Sequence, residues 1–446
     1  MVIKKIVFII LILATSLKIN SQKGFYFNEG NYNKQQVSFK LINNLIVMPL
    51  EINGKKLSFI LDTGVNKTIL FNLSEKDSIG LLNTTKVSLQ GLGTGEAVDA
   101  IISKKNTFKI KNIISRNETI FVILNDSFNL SSKMGTTIHG IIGYNLLKDF
   151  VIRVNYKTKK LVFYNPKTFT YKKCRKCETV PFRFYRKKPF INAKVLLDTI
   201  DDTFIDVKLL VDFGGSDAMW LFENSKEEIK TPKRFFNDFL GEGLSGPIYG
   251  NRSRIQAFKL GNFKIENATA SFLDFASTHN AREFKARNGS IGGGILKKFK
   301  VWIDYPNRKF TLKKNGSFKN GFNYNMSGLD VVYDGKQIVK EKSISSSSDS
   351  FHQNTSQRNS ISFVTSYSFK FKPAYKVKYV VKNSPAYHAG LLEGDVILSI
   401  NGKESHHFTL GDIILKFQER DQKKIKMIIS RNGVKMKFEF KLHKSV

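Results

Sequence analysis

The pattern of apolar and polar positions predicts a chain made mainly of β-strands. Most segments between residues 35 and 315 alternate apolar with polar side chains and are rich in Ile, Val, Phe and Thr, as the strands of half-buried sheets are. Two strand pairs stand out. Residues 151–156 and 161–164 flank one polar turn, and residues 301–305 and 310–313 flank another.

An internal repeat organises these strands. In each copy an apolar strand runs into an Asp-x-Gly turn, at Asp62 in the first copy and at Asp212 in the second. Each copy closes with a matched segment, residues 140–150 and residues 289–299. The aspartates are 150 residues apart (62 to 212), and the closing segments begin 149 residues apart (140 to 289). Features that recur in one order at nearly one spacing indicate two copies of one structural unit.

The repeat predicts two similar β-rich lobes. Residues 35–165 would form the first lobe and residues 189–315 the second, with residues 166–188 connecting them. Between its landmarks each copy also carries a glycine-rich hairpin, in which glycine permits sharp bends and close approach of another backbone. These glycines are Gly91, Gly93 and Gly95 in the first copy and Gly241, Gly243, Gly246 and Gly250 in the second.

Two Asp-x-Gly turns that meet in space can carry out acid–base chemistry. A carboxylate at the end of a buried strand is held by the amides of its turn, and glycine lets the opposite turn approach closely. At about 3 Å two carboxyl groups cannot both ionise, so the pair shares one proton. One member can then accept a proton from water while the other donates one, without a metal or a Ser or Cys nucleophile.

Over residues 35–315 the chain resembles the pepsin and retropepsin superfamily of aspartic peptidases, whose shared proton is a standard example of this chemistry. The resemblance is carried by Asp62-Thr63-Gly64, by Asp212-Phe213-Gly214-Gly215-Ser216 and by the segments 141–143 and 290–292. It implies two acid-protease-like β-barrel lobes, catalytic Asp62 and Asp212, and a polypeptide substrate, with no cofactor or metal. It also implies that the glycine-rich hairpins are two flaps over a cleft in a single fused chain.

Departures from the family pattern lie around the two turns. The residues predicted to support the turns are Thr63, Gly64, Asn66, Gly214 and Ser216. Asn66 replaces the usual Ser or Thr, and its amide could hydrogen-bond Asp62. Phe213 replaces a Thr or Ser whose hydroxyl would bond across to the opposite turn, so half of that reciprocal network is expected to be missing. Two hypotheses follow, an active endopeptidase and a catalytically inactive peptide-binding pseudo-peptidase.

Residues 323–442 resemble a PDZ domain, a smaller α+β unit. The segment 379–402 predicts a strand, a Ser-Pro turn, a short helix, a Gly turn, a strand and an Asn-Gly turn. The resemblance implies that a peptide or protein C-terminus binds at a sheet edge, with Gly328, Leu329 and Val331 as candidate contacts. The serine-rich composition near 340–366 predicts a flexible insertion. An interdomain linker, with the domain beginning near residue 367, is the alternative.

The N-terminus predicts export. Lys4 and Lys5 precede an apolar run, residues 6–17, that is shorter than the ~20 residues needed to span a membrane. With cleavage near residue 21, the mature chain would be a periplasmic or extracellular protein without a transmembrane segment. An uncleaved membrane anchor is the alternative.

The formal charge of +35 favours no particular partner, because the lysines are spread along the chain without a nucleic-acid-binding motif. We therefore expect a monomer that binds no nucleic acid. Adhesion to an anionic surface is a third functional hypothesis, and it predicts strong salt dependence. Cys174 and Cys177 lack further metal ligands nearby, so an incidental or structural pair is favoured and a local disulfide is the alternative.

Overall fold

The protein is mainly β. The computed structural model describes residues 24–28, 32–72, 79–81, 83–89, 98–123, 130–197, 203–243, 246–349 and 360–446. Strands account for 54% and helices for 10% of the structure, which confirms the predicted fold class. The predicted export segment, 1–21, lies outside the described residues. None of the helices in the described part of the chain is both long and apolar enough to cross a membrane.

The first lobe is built mostly from one large sheet. The elements up to residue 164 are β1 (Tyr26–Phe27), β2 (Lys34–Ser38), β3 (Lys40–Ile42), β4 (Leu45–Ile52), β5 (Lys55–Leu61), β6 (Thr68–Leu70), β7 (Thr85–Leu89), β8 (Val98–Ile110), β9 (Ile113–Ile123), α1 (Leu130–Met134), β10 (Gly140–Ile142), α2 (Tyr144–Leu147), β11 (Val151–Asn155) and β12 (Lys160–Tyr164). Nine strands form the sheet in the order β1-β9-β6-β10-β5-β4-β8-β7, with β3 beside β4.

The second lobe repeats this arrangement. Its elements are β13 (Cys177–Pro181), β14 (Arg183–Tyr185), β15 (Lys188–Leu196), β16 (Ile205–Val211), β17 (Met219–Phe222), β18 (Phe236–Gly243), β19 (Gly246–Leu260), β20 (Phe263–Leu273), α3 (Phe275–Thr278), a 3₁₀ helix (His279–Glu283), β21 (Gly289–Ile291), α4 (Gly293–Leu296), β22 (Phe299–Asp304) and β23 (Lys309–Lys314). Eight strands form its sheet in the order β14-β15-β16-β21-β17-β20-β19-β18.

A third sheet joins the lobes. Its order is β13-β23-β22-β11-β12-β2, so the closing hairpins of the two repeats lie side by side. At its centre β11 pairs antiparallel with β22, from Val151 opposite Asp304 to Asn155 opposite Lys300. Alternate residues of these strands are fully buried, and one hydrophobic core runs through both lobes and this sheet. The lobes are therefore held as one body around the cleft between them.

The predicted connection, 166–188, is shorter in the structure. β13 lies within it and joins the shared sheet, and β14 pairs with β15 of the second lobe. Phe182, which lies between these strands, is buried in the common core. Burial of apolar side chains thus draws half of this segment into the fold. Cys174 and Cys177 form a disulfide at the start of β13, the alternative expected for an oxidising compartment.

The C-terminal module is a six-stranded sheet with its own hydrophobic core. Its elements are β24 (Leu329–Asp349), β25 (Ser360–Val380), α5 (Pro385–His388), β26 (Val396–Ile400), β27 (Lys403–Glu404), a 3₁₀ helix (Ser405–His407), α6 (Leu410–Lys416), β28 (Lys424–Arg431) and β29 (Val434–Lys441). α5 begins after Ser384, whose hydroxyl caps the helix by accepting from the Tyr387 N–H. α6 begins with a capping box formed by Thr409 and Asp412.

The segment predicted to be a flexible insertion, 340–366, is described only at its two ends. β24 and β25 pair in register out to Asp349 and Ser360, and residues 350–359 lie outside the described part of the chain. Antiparallel pairing satisfies backbone N–H and C=O groups without apolar side chains, so a polar composition does not prevent it. Phe369 and Phe371 on this ribbon are exposed, at 70% and 69%. Composition alone therefore does not distinguish an exposed ribbon from a loop.

Candidate active site

Two equivalent turns place Asp62 and Asp212 at the ends of buried strands. Asp62 follows β5, which pairs parallel with β10, and Asp212 follows β16, which pairs parallel with β21. The Asp62 N–H donates to Ile142 O and the Asp212 N–H donates to Ile291 O, both at 2.9 Å. The same hydrogen bond thus fixes each aspartate at the edge of its sheet, where both side chains are half-buried and line one cleft.

The two turns face each other at close range. The Gly64 N–H donates to Asp62 Oδ1 at 2.5 Å, and the Gly214 N–H donates to Asp212 Oδ1 at 2.9 Å. A Cβ atom on Gly214 would lie 2.3 Å from Asp62 Cγ, and one on Gly64 would lie 3.4 Å from Asp212 Oδ1. Only glycine at position 214 leaves space for the opposite carboxyl group.

The two carboxyl groups contact each other and compete for one proton. Burial and the negative charge of Asp212 raise the pKa of Asp62 to about 7. Burial also raises the pKa of Asp212, but the positive charge of Arg287 and the hydrogen bond from the Gly214 N–H oppose the shift. The hydrogen bond between the carboxyl groups raises the pKa of Asp62 and lowers that of Asp212. The two groups therefore share one proton, and the pair carries a single negative charge.

Thr63 ties the two turns together. Its Oγ1 donates to Val211 O at 2.5 Å and accepts from the Phe213 N–H at 2.9 Å. Thr63 is fully buried, so no solvent competes for these hydrogen bonds. Phe213 has no hydroxyl to return across the interface, and its side chain is instead buried in the common core. The side-chain hydrogen bonds between the two turns are therefore both made by Thr63 of the first turn.

Two of the predicted supporting residues make other contacts. The Asn66 side-chain amide donates to Arg186 O at 3.4 Å, and no hydrogen bond to Asp62 is found. Ser216 accepts through its backbone carbonyl from Asn44 Nδ2 at 2.8 Å. Both residues line the cleft. Each of them connects the chain just after its Asp-x-Gly turn to the opposite lobe. Asn66 of the first lobe bonds Arg186 of the second, and Ser216 of the second lobe bonds Asn44 of the first.

Two cations beside the dyad were not predicted. Lys188, the first residue of β15, and Arg287, just before β21, both line the cleft. Arg287 Nε donates to Gly289 O at 3.2 Å, and its guanidinium lies 4.9 Å from the centroid of the Phe222 ring. Burial lowers the pKa of both groups, that of Arg287 to about 10, so the Arg287 guanidinium stays charged at neutral pH. Comparison of the two repeats is the only sequence signal that could have found them.

The two strands of one predicted flap lie within the described residues. β18 and β19 pair antiparallel from Phe236 opposite Arg252 to Gly243 opposite Gly246, and Gly241 and Gly246 take positive φ angles of 146° and 108°. Gly241 and Gly243 line the cleft beside the buried Leu240. Gly91, Gly93 and Gly95 of the other flap lie outside the described residues, although the strands that flank them, β7 and β8, are paired.

The cleft continues into the C-terminal module. It has a volume of about 1920 Å³, and its lining includes Gly328, Leu329 and Val331 as well as Leu410 and Ile414 of α6. Gly328 has a φ of 80°, and a Cβ there would lie 2.1 Å from Ser384 Cβ. The Leu329 N–H already donates to Ser327 Oγ at 3.0 Å. The three predicted peptide contacts thus line the same cavity as the two aspartates.

The described residues contain one group with the ligand types and spacing of a metal site. Glu404, His406 and His407 have ligand atoms within 4.8 Å of one another. They lie in the C-terminal module and are not among the residues that line the cleft. His406 Nε2 is 3.3 Å from Glu404 Oε2, an ion pair when the histidine is protonated.

Comparison with protein families agrees with this arrangement. A family model for aspartyl proteases matches residues 48–146, from β4 to α2, and includes Asp62. A family model for PDZ domains matches residues 376–431. The comparison with curated proteins found no match. The chain therefore contains an aspartyl protease domain followed by a C-terminal PDZ domain.

Proposed function

We propose that this protein is an aspartic endopeptidase that hydrolyses peptide bonds with a water molecule activated between Asp62 and Asp212. One observation carries the proposal: two Asp-x-Gly turns of one chain face each other so closely that a Cβ on Gly214 would overlap the Asp62 carboxyl group. The two carboxyl groups then share one proton, which gives the cleft both a base and an acid at the same pH.

The shared proton supports a division of roles within the pair. The ionised carboxylate accepts a proton from water as the water oxygen bonds to the carbonyl carbon, while the protonated partner donates its proton to the carbonyl oxygen. The tetrahedral diol then breaks down. The first carboxyl group passes its proton to the amide nitrogen as the C–N bond breaks, and a diol hydroxyl returns a proton to the second. Protons balance over the cycle, and each aspartate ends in its starting state.

The surroundings of the dyad fit an extended polypeptide. The β18–β19 flap borders the cleft with glycines, which let a peptide backbone lie against it. The predicted PDZ contacts Gly328, Leu329 and Val331 line the same cavity as the aspartates, which supports delivery of a bound peptide to the dyad. We propose that the PDZ domain recruits substrate in this way. Both aspartates come from one chain, which supports a retropepsin-like arrangement that needs no second copy.

We also propose that the protein works outside the cytoplasm. The apolar N-terminal run preceded by Lys4 and Lys5 has the pattern of an export signal. The disulfide between Cys174 and Cys177 supports the proposal, because disulfides persist in oxidising compartments. Mass spectrometry of the exported protein would test it. A mature N-terminus near residue 22 is expected, and an intact residue 1 would refute cleavage.

A fragment assay tests the proposed activity. The mature protein is incubated with an unfolded substrate protein across several pH values, and the products are identified by mass spectrometry. Fragments are expected from the wild type and none from Asp62→Asn or Asp212→Asn, provided that circular dichroism shows folded variants. Asp206→Asn, at an exposed aspartate of the second lobe, is the matched control and should retain activity.

A peptide-binding pseudo-peptidase is the second candidate, and Phe213 is the observation that favours it. Without a hydroxyl at this position, the second turn returns no side-chain hydrogen bond to the first. This candidate predicts peptide binding to the wild type with no fragments at any pH. It also predicts that peptide affinity is the same in the wild type and in the Asp62→Asn variant.

A further inference from the structure

The repeat allows the two walls of the cleft to be compared position by position. Leu45 and Lys188 are equivalent, since each is the first residue of its strand and pairs with the last residue of the preceding strand, Ile42 or Tyr185. The two-residue turns before them, 43–44 and 186–187, have positive φ at both positions. Leu45 is buried in an apolar cluster of the first lobe. Its counterpart in the second lobe carries a positive charge at the cleft.

A second equivalent pair shows the same difference. The Phe71 N–H donates to His139 O and the Phe222 N–H donates to Asn288 O, both at 2.8 Å, so His139 and Asn288 are equivalent. The residues that precede these two acceptors, Ile138 and Arg287, are therefore equivalent as well. Ile138 is fully buried in the cluster that contains Leu45. Arg287 is 5% exposed, and it lines the cleft. Two positions that are apolar in the first lobe are thus occupied by basic residues in the second.

The first-lobe wall contains a buried apolar cluster. The residues that line this side of the cleft and belong to the cluster are Leu45, Ile60, Ile69, Phe71, Leu89 and Met134. A hydrophobic side chain of a bound peptide would be buried there, and burial of apolar surface is favourable in proportion to its area. The two walls therefore differ in chemistry at the two compared positions, although their backbones are arranged alike.

The charges beside the dyad are not balanced. Neither Lys188 nor Arg287 forms an ion pair with a carboxylate among the described residues, and the dyad beside them holds a single negative charge. Arg186, the next cation, is paired with Glu283. The acidic residues further along the wall, Asp217 and Asp238, are both paired with Arg252, at 3.2 Å and 2.7 Å. Beside the dyad, two cations therefore face one negative charge.

We infer that this wall binds a carboxylate side chain, so that the peptidase proposed above cleaves between a hydrophobic residue, held by the first lobe, and a Glu or Asp, held by Lys188 and Arg287. The inference rests on the proposed function only for the cleavage itself. An arginine fork and a lysine ammonium are suited to a carboxylate, because hydrogen bonds between charged groups are about twice as strong as neutral ones. A peptide C-terminal carboxylate has the same chemistry, and the test separates the two.

The test uses matched internally quenched peptides with amidated C-termini. They contain Leu-Glu, Leu-Gln, Glu-Leu or Gln-Leu at the centre and are otherwise identical. For one of the two orders kcat/KM is expected to be on the order of 10-fold higher with Glu than with Gln. Lys188→Met and Arg287→Met should each reduce this ratio severalfold. Lys194→Met removes the same charge from an exposed residue of β15 and should leave the ratio unchanged.

A binding arm keeps the inference separate from catalysis. Asp62→Asn leaves the pair with one carboxylate, and so with the single negative charge of the wild-type pair, but without the shared proton that cleavage needs. The affinity of this variant for the four peptides can therefore be measured by fluorescence anisotropy without cleavage. Tighter binding of Glu peptides, lost in Asp62→Asn/Lys188→Met, would support the inference even if the wild type cut nothing. Equal affinity and equal kcat/KM for Glu and Gln would overturn it while leaving the proposed function intact. Preference only for a free C-terminus, seen with non-amidated Gln peptides, would also overturn it.

Discussion

Replacing Thr63 by valine tests the link between the two lobes. The substitution keeps the shape of the side chain but removes the hydroxyl, which donates to Val211 O and accepts from the Phe213 N–H. Because the site is fully buried, water cannot replace the lost partner. Both backbone groups belong to the turn that carries Asp212. The variant should therefore lose stability and, at the same time, alignment of the dyad.

The expected loss of stability can be worked out from the hydrogen bonds. Each buried backbone group left without a partner costs ~1–3 kcal/mol, so the free energy of unfolding of the protease lobes should fall by about 2–6 kcal/mol for the two groups. The lower part of that range applies if the Val211 carbonyl keeps a second hydrogen-bond donor. Activity should fall by more than tenfold, since small displacements of reacting groups cost ~100-fold in rate.

Tryptophan fluorescence isolates the relevant unfolding transition. The chain has two tryptophans, Trp220 in β17 and Trp302 in β22, and both belong to the protease lobes. A urea titration followed by their emission therefore reports on the lobes and not on the PDZ domain. Thr63→Ser, which keeps the hydroxyl, is the matched control and should remain within about 1.5 kcal/mol of the wild type.

The reasoning would be refuted if Thr63→Val unfolded at the same urea concentration as the wild type with an unchanged slope. Such a result would mean that Val211 and Phe213 find other partners in solution. A variant with normal stability but no activity would assign the hydroxyl to alignment of the dyad alone. A variant with reduced stability and full activity would exclude that role.

Four further predictions concern the two turns. The pKa of Asp62 rises from 3.8 to about 7 on folding, so its contribution to stability is complete below pH 4 and is lost as the pH rises through 7. Urea midpoints at pH 4 and pH 8 should therefore show Asp62→Asn gaining on the wild type by on the order of 2–4 kcal/mol at the higher pH, and a constant difference would contradict the shift. The same titration should produce an alkaline decline of kcat/KM near pH 7, measured with a quenched peptide, because the shared proton is then lost. Gly214→Ala should abolish activity, because its Cβ would overlap the Asp62 carboxyl group. Gly215→Ala, whose Cβ would lie 3.4 Å from Asp212 Cγ, should stay active. Similar activity of both variants would exclude close approach of the turns. Phe213→Thr should lower the free energy of unfolding by about 3 kcal/mol or more, because the cavity left in the core outweighs one added hydrogen bond, and a stabilised variant would contradict this.

The main features of the fold could be predicted from local patterns. Alternating strands, a repeat with an offset of 150 residues and Asp-x-Gly at the end of an apolar strand predicted two β-lobes with Asp62 and Asp212 at equivalent places. These signals are local, because strand periodicity and turn chemistry depend on neighbours in sequence. The PDZ segment was predicted for the same reason, since its Gly and Asn turns fall between short apolar strands.

Predictions that depended on the partner of a polar side chain were less successful. Asn66 was one candidate to hydrogen-bond Asp62, but its amide reaches Arg186 O, 120 residues away. The serine-rich segment was predicted to be a flexible insertion; its two ends within the described residues pair as β24 and β25, and its centre, 350–359, lies outside them. A polar side chain or an exposed strand can be satisfied in many ways at similar free energy, so composition does not select one.

The sequence by itself determined the two lobes, the two aspartates and the PDZ domain, because apolar periodicity and glycine turns constrain each segment independently of the rest. Only the tertiary structure decided what surrounds the aspartates. Thr63 hydrogen-bonds Val211 and Phe213 across the lobe interface. Lys188 and Arg287, which come from two separate segments of the second lobe, interact electrostatically with the dyad. Electrostatic interactions and buried hydrogen bonds depend on distance in space, and distances between remote segments are set only when the core packs.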